Sequence, residues 1–203
     1  MTISRTDTVI VVGFLILVQG TGALAGFWLP AIAPEVGQSL GLSPSLIAYP
    51  VLILYIFAMI SSLMAGGIVR RFGAWRSSQA ALILIGVSHL MFMNGSLLFL
   101  ALGSIILGGA YGLLTPPASH LLSKIVTPKN RNLIFSIRFT GVPLGGILAG
   151  LLAPSVALEY GWRESMIVTT VISLVIAISM QPFRTRWDRD RLKSAKIFRN
   201  PIS

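Results

Sequence analysis

Apolar residues fall into six long stretches separated by short polar segments. An α-helix needs roughly 20 apolar residues to cross a hydrocarbon core about 30 Å thick. Lipid offers no partners to unpaired backbone groups, so helices are expected in the stretches. We therefore predict an all-α membrane protein with six transmembrane helices, at Val9–Ala33, Leu46–Val69, Ser78–Asn94, Leu97–Leu122, Leu133–Leu158 and Ser165–Met180.

The composition supports this prediction. Of the 203 residues, 54% are hydrophobic and only 11% are charged, whereas a soluble domain carries about 25% charged residues. The mean hydropathy is +0.83. Water is therefore not the main solvent of this chain.

Basic residues are concentrated in alternate connections between the stretches. Fourteen of the sixteen Lys and Arg residues share one side: Arg5, Arg70, Arg71, Arg76, Lys124, Lys129, Arg131, Arg184, Arg186, Arg189, Arg191, Lys193, Lys196 and Arg199. By the positive-inside rule, we expect both termini to be cytoplasmic. We expect an integral protein of the bacterial inner membrane. The net charge of +10 does not indicate a nucleic-acid partner, because the charges lie in short clusters between apolar runs. The expected partner is the lipid bilayer.

Two alternatives concern the ends of the chain. Arg5, the run Val9–Val18 and the segment Ala23–Ala25 resemble a cleavable signal peptide, but the apolar run continues to Leu29, and cleavage would leave an odd number of helices. Residues 182–203 form a basic tail after the bundle at 1–181. We favour a solvated linker over a surface helix that lies on anionic lipid with Trp187 at the interface.

The bundle contains an internal repeat, residues 9–94 and 97–181. Gly26–Pro30 and Gly112–Pro116 both read Gly-x-x-x-Pro, and Phe72–Arg76 resembles Tyr160–Arg163 at nearly the same offset. An odd number of helices in each unit makes the two units inverted, which is common in secondary transporters.

Two motifs resemble the major facilitator superfamily. The segment Gly66-Gly-Ile-Val-Arg70-Arg71-Phe-Gly73-Ala-Trp-Arg76 resembles its loop between helices two and three, Gly-x-x-x-Asp-Arg-x-Gly-x-basic. Arg70 stands at the position of the family's Asp. The resemblance implies that this Asp helps a charged latch between cytoplasmic helix ends, so the latch is lost here or moves to another partner.

The segment Arg138-Phe-Thr-Gly141-Val-Pro143-Leu-Gly145-Gly146 is similar to the Gly/Pro-rich motif of the family's fifth helix. The resemblance implies the N-terminal six-helix half of a twelve-helix fold, ending at the start of the central loop. The second half is then an expected partner, either in a longer parent chain or as a homodimer mate.

Arg138 is the leading candidate for solute binding. An ionisable residue inside a membrane helix is costly and indicates function, and a guanidinium fits a carboxylate or similar oxyanion. The predicted helices contain no Asp or Glu to neutralise it. The alternative is snorkelling, because Arg138 lies about two turns from the cytoplasmic loop.

Three further polar residues are candidates for solute binding. Gln19 lies in the middle of the first helix, and an interhelical hydrogen bond is its alternative role. Tyr111 and Thr115 are four residues apart and so share one helix face; helices one and four line the cavity in the resembled family, although both residues also suit packing. His120 is interpreted as interfacial and His89 as a packing residue.

These residues favour a secondary transporter of a small solute, an organic anion by preference, that works by alternating access. The alternative is a truncated or non-transporting fragment or partner subunit that needs a second six-helix half. The chain has no Cys and two His, so neither a metal site nor another cofactor is expected. An enzyme is not expected either: Gly-x-Ser-Gly and clustered acids are absent from the sequence.

Overall fold

The computed structural model describes residues 4–192 and 194–195. The described part contains ten α-helices and no strand. They are α1 (Arg5–Ala31), α2 (Ala33–Leu40), α3 (Ala48–Phe72), α4 (Ala74–Phe92), α5 (Leu97–Gly112), α6 (Thr115–Ile125), α7 (Arg131–Phe139), α8 (Gly141–Tyr160), α9 (Trp162–Ser179) and α10 (Arg184–Trp187).

These helices form the predicted six transmembrane segments. Five are long and apolar enough to cross a membrane: Arg5–Ala31, Ala48–Phe72, Leu97–Ile125, Arg131–Tyr160 and Trp162–Trp187. The remaining one is α4, which has 19 residues. Its polar residues Arg76, Gln79 and His89 lower its hydropathy. The predicted all-α membrane fold is confirmed.

The two predicted repeats share the backbone conformation of one turn. Gly73 before α4 has φ 97° and ψ 151°, and Gly161 before α9 has φ 95° and ψ 150°. Glycine adopts this region without steric penalty, so both turns require it.

The packing of the helices can be compared in the same way. In the predicted repeat, α1 corresponds to α5 and α6, and α3 corresponds to α7 and α8. A Cβ at Gly145 of α8 would collide with the carbonyl oxygen of Gly20 in α1. Similarly, a Cβ at Gly108 or Gly112 of α5 would collide with backbone carbonyl oxygens of α3. Small residues allow membrane helices this close approach, and the contacts α1–α8 and α3–α5 are therefore equivalent.

The basic end of the bundle is the end where Arg70, Lys124 and Arg186 lie. Here the chain from Arg184 to Leu192 folds back over the helix ends. Trp75 is fully buried, its ring stacks on that of Trp187 at 6.3 Å between centroids, and its indole N–H donates to the Met180 carbonyl at 2.7 Å.

Candidate functional site

Arg138 lies in the interior of the bundle, and its side chain is completely buried. Its Nη2 donates a hydrogen bond to Oε1 of Gln19 at 2.7 Å and lies 3.5 Å from Oγ1 of Thr115. Three of the four predicted binding residues, from α1, α6 and α7, therefore meet at one point. The alternative of snorkelling is excluded, because the guanidinium does not reach the surface.

Two nitrogens of this guanidinium, Nε and Nη1, are buried without a hydrogen-bond partner. The Phe139 ring covers one face of the group, with Cζ 4.6 Å from the ring centroid. A buried donor without an acceptor costs roughly 1–3 kcal/mol, and more when it is charged. None of the ion pairs in the described residues involves Arg138. The site therefore has a positive charge and spare hydrogen-bond donors.

The Gly/Pro-rich motif positions this site. A Cβ at Gly141 would lie 2.6 Å from the Ile16 carbonyl oxygen and 3.3 Å from Cβ of Gln19. The absence of side chains at Gly141 and Gly145 brings the junction of α7 and α8 against α1. Gln19 can then reach Arg138. A Cβ at Gly146 would lie 3.5 Å from the ring of Phe27, and Pro143 lies in the first turn of α8.

Tyr111 does not join the Arg138 group. Its ring packs edge-on against Tyr55, with centroids 6.1 Å apart, and a Cβ at Gly26 would lie 3.2 Å from it. The expectation that Tyr111 and Thr115 share a face of one helix needs correction, since a turn at residues 113–114 separates α5 from α6. Pro116, the second residue of α6, has no N–H group, so regular helical hydrogen bonding cannot continue through it.

Between Arg184 and Leu192 the tail packs on the bundle. For this segment, the expected solvated linker and its alternative, a helix on the lipid surface, are both wrong. Trp187 is only 3% exposed. Asp190 accepts from Nζ of Lys124 at 2.7 Å and lies 2.8 Å from Nε2 of His120, and Arg186 pairs with Asp7. The tail packs here because its indole and its carboxylates all find partners. Lys193 and residues 196–203 lie outside the described residues.

Histidines and acids do not combine into a metal site in the described residues, where no three His, Asp or Glu side chains converge. His89 is fully buried and packs edge-on against Phe92 at 5.3 Å, as expected for a packing residue.

Comparison with known proteins gives the family. Residues 12–201 match the sequence family described as Major Facilitator Superfamily. The chain belongs to this superfamily. The superfamily and the relatives point to a transporter rather than an enzyme.

Two curated relatives are transporters of bacteria. The chain is 28% identical over 160 residues to the gallate transporter of Pseudomonas putida, which covers 76% of this chain and 34% of the relative. It is 24% identical over 97 residues to the hexuronate transporter of Bacillus subtilis (strain 168), covering 46% of this chain and 23% of the relative. The chain thus spans about a third or less of the relatives it matches.

Solved structures agree on the fold. A crystal structure of the peptide transporter POT in complex with sulfate superimposes with a TM-score of 0.71, at 20% identity, covering 89% of this chain and 38% of that one. A crystal structure of a mutant of the same transporter gives a TM-score of 0.70 at 22% identity, covering 89% of this chain and 38% of that one.

The superfamily loop motif is changed in this chain. Arg70 replaces the Asp of the pattern, and the tail residue Asp188 brings a carboxylate to the same loop. Its oxygens accept from the backbone N–H of Trp75 at 2.8 Å and of Arg76 at 3.0 Å, and Nε of Arg76 lies 3.7 Å away. Asp188 thereby caps the start of α4, where Gly73 has no side chain to do so.

Asp188 was missed by sequence reasoning, because nothing in its basic surroundings marks it. A Cβ on Gly73 would collide with the Asp188 carboxyl group, so the motif glycine makes room for it. Burial raises the pKa of Asp188 to about 6. Arg70 contributes its carbonyl oxygen, which accepts from the N–H of Leu192 at 2.8 Å. Arg71 lies over the Phe72 ring at 5.5 Å, and Gly66 faces open space.

Proposed function

We propose that this chain is the N-terminal half of a secondary transporter that carries a small organic anion by alternating access, with Arg138 as the principal binding group. One observation carries this proposal: the completely buried guanidinium has two nitrogens without a protein acceptor. A carboxylate supplies the missing negative charge and an acceptor for a free N–H group.

The surroundings of Arg138 fit such a ligand. Gln19 holds the guanidinium at Nη2 and Phe139 covers one face, and Nε and Nη1 keep no protein acceptor. A planar guanidinium presents N–H groups in a fixed fork that matches the two oxygens of a carboxylate. Thr115 adds a hydroxyl that is close enough to orient the same ligand.

The relatives support the same solute class. Gallate and hexuronates both carry a carboxylate, and these are the solutes in the names of the two relatives. We therefore propose a carboxylate solute for this chain, with gallate as the first probe.

Alternating access needs a second six-helix unit in this proposal. Large apolar side chains on α3, such as Tyr55, Met59 and Leu63, are exposed, and they are available to a second unit or to lipid. We place both termini in the cytoplasm and the protein in a bacterial inner membrane, because basic residues dominate one end of the bundle. The alternative is a partner subunit that binds no solute until the second half joins it.

Equilibrium dialysis with radiolabelled gallate tests the proposal on the detergent-purified chain, alone and coexpressed with a second six-helix unit. We expect Arg138→Ala to abolish binding while insertion into the membrane remains at the wild-type level. Arg163→Ala is the matched control, because this arginine is exposed at the opposite end of the bundle. Unchanged gallate binding in Arg138→Ala would refute the proposed role, and binding only after coexpression would favour the partner-subunit alternative.

A further inference from the structure

A cavity of about 510 Å³ opens at the basic end between α6 and α7, and its polar lining includes Ser119, Ser123, Thr127 and Arg131. We call it the outer cavity. Phe135 forms part of its apolar wall. The superfamily motifs and the Arg138 group do not account for it.

Residues that line the outer cavity belong to two helical rows that also contain the Arg138 group. Arg131, Phe135 and Arg138 follow a spacing of four and three residues, which places them on one face of α7. Thr115, Ser119 and Ser123 are spaced by four on α6 in the same way. Seven residues of helix separate the two arginines by about 10 Å. The ends of the two rows at Ser123 and Arg131 line the outer cavity. Their other ends meet where Arg138 contacts Thr115.

The charge of the outer cavity has one sign. Arg131 is exposed, and its Cζ lies 5.8 Å from the centroid of the Phe135 ring. No acidic side chain lines the outer cavity among the described residues. Asp190 is engaged elsewhere, with His120 and Lys124. A concave surface with charge of one sign concentrates ions of the opposite sign.

We propose that the outer cavity is a second binding site for small organic anions, in which Arg131 and the hydroxyl of Ser119 hold a carboxylate on its way between the basic end and Arg138. This inference rests on the proposed function for the identity of the solute. The site itself depends on residues that do not touch the Arg138 group. Phe135 lies between the two arginines on α7 and separates the two sites.

The test uses single cysteines, because the natural chain contains none. Ser123→Cys and Ser119→Cys place a thiol in the outer cavity, and Ser43→Cys is the control in the exposed connection between α2 and α3. Each variant is reconstituted in phosphatidylcholine vesicles and treated with an anionic sulfonate-bearing or a cationic trimethylammonium-bearing methanethiosulfonate.

We expect the ratio of anionic to cationic reaction rates to be about tenfold higher at Ser123→Cys than at Ser43→Cys. Adding Arg131→Gln should remove most of this difference, and gallate should slow the reaction at Ser119→Cys. Equal ratios at the two positions, or a ratio unaffected by Arg131→Gln, would overturn the site.

Two further experiments identify the ligand and test this inference separately from the proposed function. In the Arg138→Ala background the reagent preference should persist even though gallate binding at Arg138 is lost, so either claim can fail alone. In vesicles that contain phosphatidylglycerol, gallate protection should also persist. If the anionic lipid slows both reagents and gallate no longer protects, a lipid phosphate occupies the cavity and the solute site is refuted.

Discussion

The charged residues at the basic end and in the interior of the bundle differ in whether they have a partner of opposite charge. At the basic end, Asp7, Asp188 and Asp190 each have a basic partner, and the tail is held down by them. In the interior, Arg138 has only the neutral partners Gln19 and Thr115 and keeps two nitrogens free. Paired charges hold helix ends together, whereas an unpaired buried charge is retained at a cost that a ligand can offset. The contrast separates a structural cluster from a binding site within one small bundle.

The largest effect on gallate binding is expected when an acidic side chain is placed beside Arg138. Gln19→Glu is nearly isosteric and places a carboxylate where Oε1 now lies, 2.7 Å from Nη2 of Arg138. The internal ion pair should compete with the solute and reduce gallate affinity by about 100-fold or more, because close buried charge pairs couple by several kcal/mol. Equilibrium dialysis measures the loss, and the thermal midpoint in detergent should rise.

Gln19→Leu is the control for that experiment, since it removes the hydrogen bond without adding charge. Its gallate affinity should fall by less than about tenfold, consistent with the loss of one hydrogen bond to a charged group. Equal losses in both variants would mean that Gln19 positions the solute directly and that the charge of Arg138 is not the deciding feature.

The next largest effect concerns the packing that creates the interior site. Gly145→Ala puts a methyl group against the carbonyl oxygen of Gly20, and forcing an extra methyl into such a contact costs about 1–3 kcal/mol. We expect a lower thermal midpoint and weaker gallate binding, because Gln19 moves away from Arg138. Gly150→Ala, which has nothing within 4 Å of the added Cβ, should leave both unchanged.

The basic end can be weakened through the cap of α4. Asp188→Ala removes the acceptor for two backbone N–H groups and should cost about 1 kcal/mol of the free energy of unfolding. Asp188→Asn keeps one acceptor and should lose less. Circular dichroism during detergent unfolding measures both, and gallate binding should stay close to wild type. Loss of binding in Asp188→Ala would show that the two regions are coupled.

The same carboxyl group predicts a pH dependence. Its pKa is raised by burial from 3.8 to about 6, so the folded state holds the proton more tightly than the unfolded state. Its contribution to stability is therefore complete below about pH 4 and is lost as pH rises through 6. The wild type should lose on the order of 1 kcal/mol between pH 4 and pH 7 that Asp188→Asn does not lose. Parallel pH profiles for the two proteins would contradict the assigned pKa.

The smallest effect is expected at Asp190. Its side chain is 45% exposed in its pair with Lys124, and exposed ion pairs contribute about 0–1 kcal/mol. Asp190→Asn should shift the thermal midpoint in detergent very little, and 0.5 M salt should reduce the shift further. A loss larger than that of Asp188→Ala would mean that the tail is held mainly by its exposed pairs.

Much of the fold was predictable, because membrane helices are specified locally by length and hydropathy. The six segments and the matched turns at Gly73 and Gly161 required no knowledge of long-range contacts. Arg138 and Gln19 were selected as polar residues inside apolar helices and Thr115 for its spacing of four from Tyr111, and the structure places these three in contact. Asp188 could not be found this way, because its partners are 112 and 113 residues away in sequence. The break before Thr115 was missed because Pro116 was used as a repeat signal and not as a helix interruption.

The most direct test of the central claim is the location of a carboxylate in the protein. Crystals of the purified protein grown with 4-iodobenzoate would place the iodine by its anomalous signal. We predict the carboxylate within hydrogen-bonding distance of Nη1 of Arg138, with Gln19 still on Nη2. A bound iodobenzoate elsewhere in the bundle, with the Arg138 guanidinium still lacking an acceptor, would contradict the assignment of Arg138 as the anion-binding group.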